Sequence, residues 1–443
     1  MRVVVLGGGS TGEHFVGALR RFDGDCEITL VESRLVGGEC SYFACMPTKT
    51  MLRAAELSSS LDRAPGLAPE KPEPDGVWSW RDWMTSDWDD SGQLHYLEEW
   101  NCRLVRARGH VSRPGVVDAG GEELPYDRLV IATGTSPLIP PVEGLADVEY
   151  WTNQDATQAH EVPESLAVMG GGPVGAELAQ FFARMGSRVT VIERGERLLG
   201  RVHADAGDVV GAAFRDEGID VRTGIGVERV EPGIRVHLSD GSVVDAERLL
   251  VATGRKLEID DLGLETIGVS YTPRGIQVDE RLRAGENVWA IGDCTGVALF
   301  THVGKYQARV AAADMAGRDV RADYRAIPAG IFTDPEVGTV GRTEDGEGIV
   351  TARIEIGSLP RLSTYEKPQR DGFIRLFADR AERVLVGAVA VGPQANEWLG
   401  QFTLAIRART PLDVLLDTIQ PYPTFSEGVF FAVREVADAL ASE

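Results

Sequence analysis

Apolar residues along the chain come in short runs. Each run is closed by glycine and followed by a stretch of helical spacing, and the whole unit recurs. Val3-Val4-Val5-Leu6 predicts a buried strand, Gly7-Gly8-Gly9-Ser10-Thr11-Gly12 a tight turn, and a helix follows through Leu19. The next apolar strand, over 26–31, ends at Glu32, 20 residues after Gly12. The order then repeats. Leu166-Ala167-Val168-Met169 leads into Gly170-Gly171-Gly172-Pro173-Val174-Gly175, a helix through Met185, and a strand over 188–192 that ends at Glu193. Leu129-Val130-Ile131-Ala132-Thr133-Gly134 and Leu249-Leu250-Val251-Ala252-Thr253-Gly254 are near-identical buried strands, each after a Gly- and Asp-rich hairpin-like stretch. Val288-Trp289-Ala290-Ile291-Gly292-Asp293 predicts one more buried strand, with a helical run over 304–315 after it. From about Tyr324 the texture changes to alternating strands, such as 384–391, and amphipathic helices. The expected fold is α/β, with two Rossmann-like dinucleotide-binding domains and a third, C-terminal α+β domain.

The glycine turns carry specific chemistry. Glycines let the backbone close on a pyrophosphate seated at the helix N-terminus, and the acid after the second strand accepts from ribose hydroxyls. Two complete units about 160 residues apart predict two dinucleotides. Glu193 sits where the second nucleotide's adenine ribose would lie. A carboxylate favours a free 2′-OH, so NADH is expected over NADPH, although nearby Arg194 and Arg197 keep NADPH possible.

A second kind of chemistry lies between the turns, in Gly37-Gly38-Glu39-Cys40-Ser41-Tyr42-Phe43-Ala44-Cys45-Met46-Pro47-Thr48-Lys49. A regular helix separates positions i and i+5 by roughly 7.5 Å along its axis. A disulfide needs its Cα atoms within about 7 Å. Cys40 and Cys45 can therefore bridge only across a distorted backbone, and strained bridges are easily reduced. The pair reads as a redox centre. Cys26, Cys102 and Cys294 are scattered and read as small buried residues or idle thiols.

Composition narrows the function classes. A chain of 443 residues holds two or three domains, and its 26% charged and 43% hydrophobic residues are ordinary for a globular protein. A net charge of -23 with no basic stripe argues against a nucleic-acid partner. The odd cysteine count does not make a secreted disulfide framework, and the chain opens on a strand rather than an apolar signal segment. No apolar run approaches the roughly 18 residues of a membrane span. A cytoplasmic protein with no membrane partner and no metal site is expected. Only five of the 45 basic residues are Lys, which makes Lys49 beside the cysteines conspicuous.

Together these residues resemble the FAD-dependent pyridine nucleotide-disulfide oxidoreductases, the group of dihydrolipoamide dehydrogenase, glutathione reductase and mercuric reductase. The likeness runs from Val3 to about Glu427 and includes Ile327-Pro328-Ala329-Gly330-Ile331-Phe332-Thr333-Asp334-Pro335-Glu336, which looks like the opening of the family's dimerisation domain. It implies an FAD-binding domain in two parts, 1–147 and 274–322, an NAD-binding domain over 148–273, and a dimerisation domain over 323–443 of a homodimer. Gly7, Gly9, Gly12 and Glu32 would hold the FAD adenosine and pyrophosphate, and Asp293 the ribityl chain. Gly170, Gly172, Gly175 and Glu193 would hold NADH, with Gly38, Lys49, Gly134 and Gly254 completing the cofactor-binding set. Electrons would pass from NADH through flavin to a Cys40–Cys45 disulfide and on to a small thiol or disulfide acceptor. Cys45 would be the flavin-facing sulfur and Cys40 the interchange thiol, with Lys49 and Glu177 an ion pair beside the ring. Thr301 and His302 match the start of the helix that points at the flavin pyrimidine.

The chain departs from the family at its C-terminus. The usual His-x-His-Pro-Thr-x-x-Glu run reads Gln420-Pro421-Tyr422-Pro423-Thr424-Phe425-Ser426-Glu427, so Tyr422 replaces the catalytic histidine while Glu427 survives. A phenol of pKa about 10 is a poor base at neutral pH beside an imidazole of about 6.5. The partner subunit would receive Tyr422 and Glu427. Mercuric reductases carry tyrosine there and a second one in a Tyr-Trp-Thr run, matched by Tyr150-Trp151-Thr152. That keeps metal-ion or quinone reduction as the alternative, against which stands the absence of their paired-cysteine tail and of room for an N-terminal metal-binding domain. Glu39 replaces a usual threonine and is expected either to raise the Cys40 pKa or to point to solvent. The tryptophan-rich stretch over 77–100 is expected mainly as core packing.

Overall fold

The computed structural model describes residues 1–442, which form two compact units. The first comprises 1–47, 80–138 and 255–323. Its centre is a six-stranded sheet in the order Arg283–Gly285, Val288–Ala290, Arg128–Ile131, Arg2–Leu6, Glu27–Val31, Cys102–Val105. All neighbours run parallel except the edge hairpin 283–290. Val3 to Leu6 are buried on both faces, as the unbroken apolar run requires of a central parallel strand. One face packs on the helices Ser10–Phe22 and Thr301–Met315 through Phe15, Leu19, Ala308 and Ala311. The other is covered through Val111, Val117 and Leu124 of the small antiparallel sheet over 109–125. The two helices meet closely at their first turns, where a Cβ on Gly304 would lie 2.1 Å from the Thr11 hydroxyl.

The second unit comprises 48–79, 139–254 and the described residues from 324 to 442. It repeats the plan with four parallel strands, Asp220–Thr223, Arg188–Glu193, Ser165–Met169 and Arg248–Val251. Helix Pro173–Met185 follows the second glycine turn, and an antiparallel ladder over 227–245 echoes the one in the first unit. From residue 328 onward the expected alternating texture is a five-stranded antiparallel sheet in the order Pro328–Ile331, Glu336–Gly341, Val384–Gly392, Phe373–Asp379, Ile349–Glu355. Helices Ala395–Ala408 and Glu427–Ala441 supply Trp398, Phe402, Val429 and Val433 to its core. Among the described residues no helix is long and apolar enough to cross a membrane.

The tryptophans do not share one core. Trp78 is buried edge-on against Phe181, whereas Trp88 donates its indole N–H to the Tyr42 carbonyl at 3.1 Å and Trp100 packs on Tyr96. Trp80 and Trp83 are exposed, Trp83 at 72%.

Candidate functional site

The two glycine turns are built alike. A Cβ on Gly12 would stand 2.0 Å from the Gly7 carbonyl oxygen, and one on Gly175 the same distance from that of Gly170. Any side chain there would push helix and strand apart. Gly7 and Gly170, at φ +102° and +109°, press against the carbonyls of Ala132 and Ala252, which is why an Ala-Thr-Gly strand accompanies each turn. The middle glycines differ. A Cβ on Gly9 or Gly172 would meet nothing within 4 Å. Each caps its helix without a side-chain hydrogen bond, so the first-turn N–H groups face an open cradle. Such a cradle fits a dinucleotide pyrophosphate.

The acids sit where the spacing puts them. Glu32 accepts from the Gly8 N–H at 2.8 Å and the Arg34 N–H at 2.7 Å; Glu193 accepts from Gly171 at 2.7 Å and Gly195 at 2.6 Å. Each carboxylate is thus held at the rim of its turn by backbone donors.

The cysteines stand on two helices, not one. Gly38–Tyr42 ends at Phe43, and a new helix, Cys45–Leu61, starts after Ala44. This break supplies the backbone distortion that the spacing demands. It brings the sulfurs together, and all five cysteines are carried as thiols. The Cys40 thiol is pushed far above its ordinary range, first by its hydrogen bond with Cys45 and then by burial; the Thr301 hydroxyl and the Lys305 charge oppose this. The Thr301 hydroxyl also lies 3.5 Å from the Cys45 sulfur, at the start of helix Thr301–Met315. A positive helix end therefore faces the sulfur pair. His302 stacks on Phe300 at 5.3 Å. The N-terminus of the redox segment is hung on the first glycine turn: Gly37 donates to the Gly8 carbonyl at 2.8 Å, and Gly38 leaves room for Gly9 alone, with a Cβ 2.8 Å from its Cα.

Glu39 does not point to solvent. It pairs with Arg255 at 3.3 Å and is only 23% exposed. Arg255 also donates to the Thr135 carbonyl at 3.0 Å and hydroxyl at 3.2 Å, and that hydroxyl donates to Asp293 at 2.9 Å. Burial raises the Asp293 carboxyl, while Thr135 and Arg255 pull it down. Gly134 precedes this cluster at φ +70° with open space beside it.

In the second unit, Lys49, one helical turn after Cys45, pairs with Glu177 at 2.7 Å. Glu177 is buried, and its other oxygen accepts from the Phe332 N–H at 2.9 Å. Lys49 lies over the Phe332 ring at 4.9 Å. These are not free helix charges. Gly254 ends the strand 248–251 in a conformation, φ +143°, that favours glycine. Tyr150 packs half-buried on the cluster of Leu249 and Val251. Tyr422 is 71% exposed, and Glu427 opens the last helix with one buried carboxylate oxygen that has no hydrogen-bond partner.

Sequence reasoning missed Thr135 and Arg255, which flank the two Ala-Thr-Gly strands by a single residue, so adjacency was the available signal. It also missed Glu13, whose carboxyl burial pushes up to about 7 with only Lys305 opposing. A lone acid directly after the glycine motif gives no warning of that.

The family described as "Pyridine nucleotide-disulphide oxidoreductase" matches residues 1–317, and its dimerisation domain matches 327–432. A mercuric reductase from Shigella flexneri is 34% identical over 98% of this chain and 80% of its own length. A dihydrolipoyl dehydrogenase from Haloarcula marismortui is 32% identical over 100% of this chain and 97% of its own. Among solved structures, LpdA from Mycobacterium tuberculosis superposes with a TM-score of 0.89 at 25% identity, covering 98% of this chain and 99% of that one. The flavoprotein disulfide reductase RclA from Escherichia coli shares the fold, with a TM-score of 0.86 at 24% identity over 98% of this chain and 100% of that one.

Proposed function

The chain belongs to the pyridine nucleotide-disulphide oxidoreductase family, and we propose that it takes electrons from NADH and delivers them through Cys40 and Cys45 to a small disulfide. It is an FAD-dependent enzyme that uses NAD(P)H, and it forms a homodimer through its dimerisation domain. The observation that carries the acceptor reading is the sulfur pair itself, held in contact across a helix break. FAD held by these residues would supply two-electron redox chemistry between nicotinamide and sulfur.

The chain's own residues divide the remaining work. Gly7, Gly9, Gly12, Gly38, Gly134 and Glu32 shape the first cradle, and Asp293 would hold the ribityl chain by accepting from its hydroxyls. Gly170, Gly172, Gly175, Gly254 and Glu193 shape the second, and the carboxylate of Glu193 rejects a 2′-phosphate. Lys49 holds one positive charge whose burial is made tolerable by Glu177. Cys45 would be the sulfur on the flavin side, and Cys40, as thiolate, attacks the acceptor disulfide. One S–S bond breaks, a mixed disulfide forms and the first thiolate leaves. Cys45 then attacks Cys40, closing the Cys40–Cys45 bridge and freeing the second thiolate. Two protons from solvent complete two thiols. Tyr422 and Glu427 reach the partner subunit's site; the exposure of the first and the unpartnered oxygen of the second support this. We assign the enzyme to the cytoplasm, where NADH is supplied and thiols stay reduced.

The second reading is reduction of a soft metal ion between the two thiolates. It is favoured by the pair Tyr150 and Tyr422 and by the mercuric reductase relatives. An anaerobic NADH titration followed by absorbance tests the common core. A long-wavelength band from a thiolate against the flavin is expected, and its absence sinks the disulfide mechanism. Steady-state rates over disulfides, quinones and Hg(II) then separate the two readings. Turnover with Hg(II) alone would overturn the first.

A further inference from the structure

The residue directly before Cys40 is a carboxylate with a distant partner. Glu39 lies in the first turn of the helix Gly38–Tyr42, and its carboxylate faces Arg255, on the short strand Arg255–Leu257. That strand pairs antiparallel with Thr135–Pro137, which puts the Arg255 fork against Thr135. The guanidinium donates to both oxygens of Thr135, and the Thr135 hydroxyl donates onward to Asp293. Side chains of Glu39 and Arg255 are 23% and 19% exposed, so water screens this chain weakly.

We propose that Glu39 and Arg255 act as one positioning unit, a charge-balanced strut that joins the first turn of the redox helix to Asp293 and keeps FAD in place. The inference rests on the reading of Asp293 as the ribityl ligand. Two carboxylates, Glu39 and Asp293, flank a single guanidinium. Ionised, Asp293 is an acceptor at both oxygens; protonated, one of them becomes a donor. Burial opposes its ionisation, Thr135 and Arg255 favour it, and Glu39 opposes it again. Cys294, on the same turn, is itself fully buried and pushed up to about 12, so it stays neutral and leaves the balance to these groups. Taking away Arg255 leaves two like charges facing each other. Taking away the Glu39 charge leaves Arg255 committed to Asp293. The two changes act in opposite directions.

The test uses the full-length holoenzyme, titrated with acid while released FAD is followed by its fluorescence. Arg255→Met is expected to move the release midpoint to higher pH. Glu39→Gln is expected to move the midpoint to lower pH, and the double variant to fall between them. Arg255→Lys, which keeps the charge and loses the fork, covers the case in which Arg255→Met does not fold, and its midpoint is expected above that of the unsubstituted enzyme. Shifts of one sign from both single variants, or a double variant identical to Arg255→Met, would overturn the strut. Asp293→Asn separates the two layers of argument: unchanged FAD retention and midpoint there would overturn the reading of Asp293, and the strut with it.

Discussion

The two glycine turns have the same backbone and different neighbours. In the first, the Gly8 carbonyl accepts from Gly37 at 2.8 Å; in the second, the Gly171 carbonyl accepts from Leu199, also at 2.8 Å. Both donors have positive φ, +103° for Gly37 and +53° for Leu199. The same hydrogen bond thus holds the returning chain in each unit. After Gly37 comes the helix with Cys40, whereas after Leu199 come Gly200 and Arg201 with no nucleophile. The position after the third glycine also differs. It is Glu13 in the first turn and fully buried Ala176 in the second. One scaffold occurs twice, and only one copy leads into the cysteine pair.

Four experiments press on that comparison. The largest effect is expected from Cys40→Ser, which removes disulfide reduction altogether in a rate assay while direct quinone reduction by the flavin persists. Disulfide reduction that survives the change would place the chemistry outside the cysteine pair. Next come matched glycine changes. Gly12→Ala forces a 2.0 Å contact with the Gly7 carbonyl and is expected to yield protein without FAD. Gly175→Ala forces the equivalent contact with Gly170 and is expected to keep FAD but lose NADH binding. Bound-flavin absorbance and NADH titration read the two outcomes, and FAD loss from Gly175→Ala would break the assignment of the turns.

A third change makes the first turn copy the second. Burial raises the folded-state Glu13 carboxyl from its ordinary value to about 7. The folded protein therefore binds that proton more tightly than the unfolded chain, and its stability falls as pH rises from about 4 to 7. Glu13→Ala is expected to raise stability by ~2–3 kcal/mol at pH 8 and to change little below pH 4. Denaturant unfolding at the two pH values measures this. An equal effect at both would mean that the carboxyl is not the cause. The smallest effect concerns the second turn. Glu193→Ala is expected to shift the NADPH-to-NADH preference about tenfold toward NADPH, or ~1.4 kcal/mol. An unchanged ratio of kcat/KM values would place the discrimination elsewhere, with Arg194 and Arg197 the nearest alternatives.

Much of the site was legible because its chemistry is local. A glycine turn, the strand before it and the acid after the next strand lie within about 30 residues, and each is forced by backbone contact. The cysteine spacing even predicted its own distortion, found as the break between Tyr42 and Cys45. The Lys49–Glu177 pair was reached through resemblance alone, since 128 residues separate the partners. Glu39 was misjudged for the same reason. Its partner Arg255 is more than 200 positions away, and no local rule connects them.

The sequence by itself determined the α/β plan, both glycine turns and the cysteine pair. Each follows from strand burial, helix spacing or the steric needs of glycine, which act over a few residues. Only the tertiary structure decided which charges are balanced. It put Glu39 on Arg255, Glu177 on Lys49 and Asp293 at the end of a hydrogen-bonded chain. A carboxylate's ionisation depends on burial and on partners brought from distant strands, and those are properties of the packed molecule rather than of the run of residues around it.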